Sequence, residues 1–138
     1  MKPGFAVGAT RTRRYDMDEE RTISFMGEDM RIYSTPFMVR DIERTCREFM
    51  DEYLTPEENT VGARMEIEHL GPTLKGMWVE VTATVTSIEA RRVGFEVQVR
   101  DALDVVGKAK HLRFVVDLAK QRERLQAKAA RVAAFNQG

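Results

Sequence analysis

The stretch VGARMEIEHLGPTLKGMWVEVTATVTSIEARRVGFEVQVRD, residues 61–101, decides the fold class. Apolar side chains recur in it at every second position. Val61, Ala63, Met65, Ile67 and His69 fall on one face of a strand, and Arg64, Glu66 and Glu68 on the other. Gly71-Pro72 breaks this run. Met77, Val79, Val81, Ala83 and Val85 then alternate with Glu80, Thr82 and Thr84. After a hairpin turn at Glu89-Ala90-Arg91-Arg92, Val93, Phe95, Val97 and Val99 alternate with Glu96, Gln98 and Arg100. Asp101 to Asp104 makes a second turn, and Val105 to Leu118 reads as a last long strand. Strands this close in sequence predict an antiparallel meander with one apolar face.

Upstream, the period changes to that of a helix. Met38, Ile42, Phe49 and Tyr53 define one buried stripe and predict a helix over residues 37–54. Ser34 and Thr35 offer capping oxygens, Pro36 suits the first helical position, and Thr55-Pro56 ends the run. A sheet with one apolar face needs a cover, and this helix is the available one. Residues 11–25 mix β-formers with charge and read as one or two further strands. Residues 119–135, rich in Ala, Lys, Arg and Gln, predict a second helix with few apolar positions, lying on the surface. The expected fold is therefore α+β, in one domain spanning residues 1–138 with a helical tail.

Composition narrows the function. The 138 residues carry 22 basic and 22 acidic side chains, so no field of one sign argues for nucleic acid or an anionic membrane. Cys46 is the single cysteine, which excludes an intramolecular disulfide and a cysteine zinc cluster. No stretch reads as a signal peptide or a membrane span, and a cytoplasmic location is the expectation.

Three residues stand out chemically. His69 occupies a slot that alternation reserves for an apolar side chain; it is either a core histidine held by a carbonyl or a general base facing a cleft. Glu43 lies in line with Val39, Cys46 and Met50 at the border of the helix stripe. It is either a boundary carboxylate paired with Arg40 or Arg47, or a partly desolvated catalytic group. Thr35 is an N-cap, or else a hydroxyl at the positive end of the helix, where a carbonyl can be polarised. Thr35 and Glu43 should lie about 12 Å apart along the helix axis.

The run Thr35-Pro36-Phe37-Met38-Val39, followed by Glu43, Cys46, Gly62, His69 and His111-Leu112-Arg113, resembles the fluoroacetyl-CoA thioesterase family of hot-dog proteins. The valine-rich strands of residues 61–101 are similar to the same family. The resemblance implies a hot-dog fold, an antiparallel sheet wrapped around one long helix. It also implies a homodimer, or a tetramer, with sheets joined edge to edge, the active site at the subunit interface and CoA bound there. Thr35, Glu43 and His69 are the implied catalytic set. Gly62, Arg113, Phe37 and Met38 are the implied substrate-binding residues, with Gly62 close to the thioester. No metal or redox cofactor is implied, coenzyme A being part of the substrate.

Two departures from the family pattern matter. Proline replaces the usual glycine after the threonine. The segment from Phe25 to Tyr33 is shorter than in relatives acting on fluoroacetyl-CoA, so Phe25 and Tyr33 are left as partial covers of the acyl pocket, and the acyl group stays open. The expected activity is hydrolysis of a small acyl-CoA thioester. The rivals are an acyl-CoA hydratase or dehydratase on the same scaffold, a non-catalytic acyl-CoA binder, and a different α+β fold packing its last helix across the sheet. Arg91 and Arg92 are candidates for CoA phosphate contacts.

Overall fold

In the computed structural model, which describes residues 1–138, a five-stranded antiparallel sheet wraps one long helix. The elements are β1 (Thr10–Asp16), a single 3-10 turn (Glu28–Met30), α1 (Thr35–Asp51), β2 (Glu58–His69), β3 (Trp78–Glu89), β4 (Arg92–Arg100), β5 (Val105–Asp117) and α2 (Leu118–Gln137). The sheet order is β1-β3-β4-β5-β2.

That order corrects the expected meander. Only β3, β4 and β5 follow one another across the sheet; β2 pairs with β5 at the far edge, from Glu58 opposite Asp117 to His69 opposite Gly107. The connection after β2 explains this. Leu70 and Gly71 donate to the Val106 carbonyl, Tyr33 donates to the Thr73 carbonyl and Lys75 to that of Arg31. The connecting segment is thus tied to β5 and to the approach to α1, and carries the chain across the sheet instead of folding back on β2.

The predicted face of β2 is also corrected. The register shifts between Gly62 and Arg64, which leaves Ala63 as an extra residue. Before the bulge Thr60 is buried and Val61 is exposed; beyond it Met65, Ile67 and His69 are half-buried. Gly62 and His69 are an odd number of residues apart and would face opposite ways in a regular strand. The bulge turns both toward α1.

The first segment is shorter than its β-formers suggest. β1 stops at Asp16, because the Asp18 carboxylate accepts from the Arg21 backbone N–H and turns the chain. A lone bridge, Thr22 to Tyr33, is all that remains of a second strand.

The core lies between α1 and the concave face of the sheet. Met38, Ile42, Cys46 and Phe49 pack against Val79, Val81, Ala83 and Val85 of β3 and Val93, Phe95, Val97 and Val99 of β4. Each large side chain buried this fully contributes roughly 1.5–3 kcal/mol. α2 buries none of its residues, which rules out the fold that packs its last helix across the sheet.

Candidate active site

The chain enters α1 through a buried polar anchor. Asp41, 1% exposed, accepts two hydrogen bonds from Arg21, at 2.9 and 3.0 Å, and one from the Tyr33 hydroxyl at 2.5 Å. Removing one partner of such a pair leaves a bare buried charge and costs about 3–5 kcal/mol. The anchor fixes the residues just before the helix. Tyr33 is therefore buried, its hydroxyl held against α1, and presents no exposed surface as a cover. Burial and Asp41 both push its hydroxyl well above the usual tyrosine range. Phe25 stands out in solvent and covers nothing in this chain.

Ser34, not Thr35, caps α1: its hydroxyl accepts from the Phe37 N–H at 3.3 Å, and its carbonyl accepts from the Met38 N–H. Thr35 is the first helical residue, and its hydroxyl is free for another partner. That partner is His69, whose Nδ1 lies 2.7 Å from the Thr35 Oγ1. The imidazole also meets the Tyr33 ring edge to face, with centroids 6.2 Å apart. Burial pushes the His69 pKa below its ordinary value, with the Gly71 backbone partly opposing. The ring is therefore neutral at neutral pH. With the ring proton on Nε2, Nδ1 accepts the hydroxyl proton of Thr35, the arrangement of a base next to a potential nucleophile.

Glu43 lies further along the same face of α1. Arg113 approaches it from β5, with Nη1 3.4 Å from Glu43 Oε2. The carboxylate is half-exposed while the guanidinium is buried. Arg113 thus takes the place that Arg40 or Arg47 was expected to fill. Gly62 makes room for this contact: a Cβ built there would stand 2.5 Å from Glu43 Oε2 and 3.4 Å from Arg113 Nη1.

The structure therefore forms two polar clusters, Thr35 with His69 and Glu43 with Arg113 and Gly62. No hydrogen bond joins Glu43 to His69 within the chain. Between the clusters lie the half-buried Val39 on α1 and Met65 and Ile67 on β2, an apolar strip about 12 Å long by the rise of the helix. Met38 lies wholly in the core and Phe37 only partly, under the Arg40 guanidinium. Arg91 donates to the Val115 carbonyl, and Arg92 lies over the Phe114 ring. Two residues that sequence reasoning left without a role, Thr60 and His111, hold Arg113 from below.

Gly62→Ala tests the fit around Glu43. The new methyl displaces only the tip of a flexible side chain, so the melting temperature should stay near wild type. A carboxylate moved by about 1 Å should nevertheless lower turnover roughly ten- to a hundredfold. Thermal melts and kcat measured on one preparation check both parts.

A family model described as fluoroacetyl-CoA-specific thioesterase matches residues 17–119. The fluoroacetyl-CoA thioesterase of Streptantibioticus cattleyicolor is 30% identical over 135 residues, covering 93% of this chain and 97% of that protein. A phenylalanine-to-alanine variant of the fluoroacetyl-CoA-specific thioesterase superposes with a TM-score of 0.83 at 30% identity, over 92% of this chain and 99% of the other. A hot-dog-like protein from Thermanaerovibrio acidaminovorans shares the fold, with a TM-score of 0.82 at 24% identity over 90% of this chain and 93% of its own.

Proposed function

Because the chain belongs to the fluoroacetyl-CoA-specific thioesterase family, we propose that it hydrolyses a small acyl-CoA to the carboxylate and free CoA, at a site completed by a second copy of itself. Thioester hydrolysis comes with the family; the acyl group, the catalytic residues and the dimer are our reading. The observation that carries it is the 2.7 Å contact between the Thr35 hydroxyl and the His69 imidazole at one end of an apolar strip. The strip is long enough for a short acyl group and the start of a pantetheine arm.

In this reading the thioester carbonyl lies against the start of α1. His69 Nδ1 takes the proton of Thr35 or of a water molecule, and the oxygen so released attacks the carbonyl carbon. The Thr35 N–H is the donor for the oxyanion: Pro36 has no N–H, and those of Phe37 and Met38 are already taken by Ser34. The tetrahedral intermediate collapses, the C–S bond breaks and the imidazolium returns its proton to the CoA thiolate. Within one chain Glu43, braced by Arg113, lies about 12 Å along α1 from that carbonyl, so the Glu43 that activates the water completing hydrolysis, or attacks the carbonyl itself, comes from the second copy. Mass-spectrometric trapping of an acyl group on Glu43 or Thr35 separates those routes. Gly62, Phe37 and Arg113 remain the residues we assign to the substrate's surroundings; Met38, 0% exposed in the core, leaves that set. No metal or redox cofactor takes part in the scheme.

β2 is an edge strand with one side unpaired, and the strip beside it is open. Pairing of β2 with its copy would join the sheets and cover the strip, which supports the homodimer; two dimers back to back would give a tetramer. The chain then works as a single hot-dog domain, in the cytoplasm. No helix is long and apolar enough to cross a membrane.

A thiol-release screen across short, branched and aromatic acyl-CoAs tests the proposal. Release should be fastest with the short esters. Absence of thiol release from all of them, or loss of enoyl absorbance without it, would overturn the reading in favour of a binder or a hydratase.

A further inference from the structure

His111 lies on β5, 3% exposed, on the inward face it shares with Ala109, Arg113 and Val115. Its Nδ1 is 2.8 Å from the Arg64 carbonyl, beside the β2 bulge. A carbonyl can only accept, so the ring proton is on Nδ1. The other nitrogen, Nε2, then has a lone pair, and it accepts from Arg113 Nη1 at 3.1 Å. The remaining guanidinium nitrogens are held as firmly: Nε donates to Thr60 Oγ1 at 3.0 Å and Nη2 to the Thr60 carbonyl at 3.2 Å. Arg113 Nη1 reaches Glu43 Oε2 only as the last contact of this frame, at 3.4 Å.

We infer that His111 is a positioning residue for the Glu43 carboxylate, acting through Arg113, and that only its neutral, Nδ1-protonated form can do so. The inference rests on the role proposed above for Glu43 and adds a second histidine to the chemistry. A protonated His111 would turn an N–H toward an N–H of Arg113, setting two cations within hydrogen-bond distance. Arg113 would have to leave its frame, and Glu43 would lose its brace.

The surroundings favour the neutral ring. The charged and titratable groups about the pair are Arg113 itself and, from α1, Glu43, the Arg47 guanidinium and the buried Cys46 thiol, which burial pushes up to about 12. β2 faces the ring with Gly62 and the Arg64 carbonyl, while the Arg64 guanidinium pairs with Glu66 at the surface. β4 faces it with the uncharged Phe95. Burial, joined by Arg113, pushes the His111 pKa down against the opposing pull of the Arg64 carbonyl and Glu43. The neutral form therefore persists below the ordinary histidine value of about 6.5, and its contribution is lost as pH falls through the lowered value.

Two variants test this. His111→Gln keeps an uncharged acceptor near the Nε2 position; His111→Leu keeps the bulk and removes the acceptor. With a short acyl-CoA, His111→Leu should lose roughly ten- to a hundredfold in kcat with a smaller change in KM, the scale of one hydrogen bond to a charged group. His111→Gln should recover most of that loss at neutral pH and lose activity less steeply in acid. Nitrogen-15 NMR of the unliganded protein gives a readout independent of turnover. The Arg113 Nη1–H should be slow to exchange in wild type and His111→Gln but not in His111→Leu, and the His111 ring should report the Nδ1–H tautomer. Wild-type kcat in His111→Leu, an unchanged Arg113 signal there, or a ring protonated at neutral pH would each overturn the inference. Absence of thiol release by the wild-type protein would instead overturn the thioesterase reading, while the NMR readout still decides whether His111 holds Arg113.

Discussion

His69→Ala should reduce acyl-CoA turnover by about 10²–10⁴-fold while leaving the fold in place, the range for removal of a general base. The ring is half-buried at the end of β2, its one side-chain hydrogen bond is to Thr35, and its packing is limited to the Tyr33 ring edge, so the fold should survive its loss. The loss should fall on kcat more than on KM, because the group acts on the proton and not on the CoA arm. The wild-type pH profile supplies the sign. The base is needed neutral and burial lowers its pKa, so the acid limb of kcat/KM should lie below the ordinary histidine value of about 6.5. Activity should hold as pH falls to that point and drop only beyond it. Circular dichroism together with thiol-release kinetics across pH checks both statements; near wild-type turnover in the alanine variant would remove His69 from the mechanism.

Glu43→Gln should cost about as much, again 10²-fold or more, for a different reason. The amide keeps the size of the side chain and can still accept from Arg113, but it neither takes a proton from water nor attacks a carbonyl. Because Glu43 is half-exposed, the stability change should stay within about 0.5 kcal/mol. A large drop in melting temperature would mean that the Glu43–Arg113 contact serves the fold. Unchanged turnover would leave Thr35 and His69 to do the chemistry alone. A residual rate in Glu43→Gln well above that of His69→Ala would favour water activation by His69, with Glu43 as an electrostatic aid.

Much of the fold is legible in the chain, for a local reason. The helix stripe of Met38, Ile42 and Phe49 and the alternation of Val79 to Val85 and Val93 to Val99 are periodic, and periodicity is a property of neighbours in sequence. The partner of β2 is not. Its pairing with β5 depends on where the segment after His69 finds acceptors, in Val106 and Arg31, far away along the chain. The bulge escaped for a related reason: Ala63 is small enough for either face, so nothing in its identity marks a change of register.

The catalytic candidates divide along the same line. His69 was visible because it interrupts an apolar series. His111 and Arg113 interrupt one as well, on β5 between Ala109 and Val115 with Lys108 and Lys110 pointing outward. The same rule applied there would have marked both. That Arg113, not Arg40 or Arg47, meets Glu43 is a tertiary fact: the neighbours on α1 point along the helix surface, while Arg113 arrives from the sheet.

The extra residue at position 63 means that this stretch obeys a rule of count and not of kind. Many side chains could stand in for the exposed Ala63, since it serves as a spacer; its loss, however, would put everything downstream out of phase. Either the imidazole would swing to the solvent side or the glycine gap beneath the carboxylate would close. An outer strand, ordinarily the most forgiving part of a sheet, is here the place where length is least negotiable.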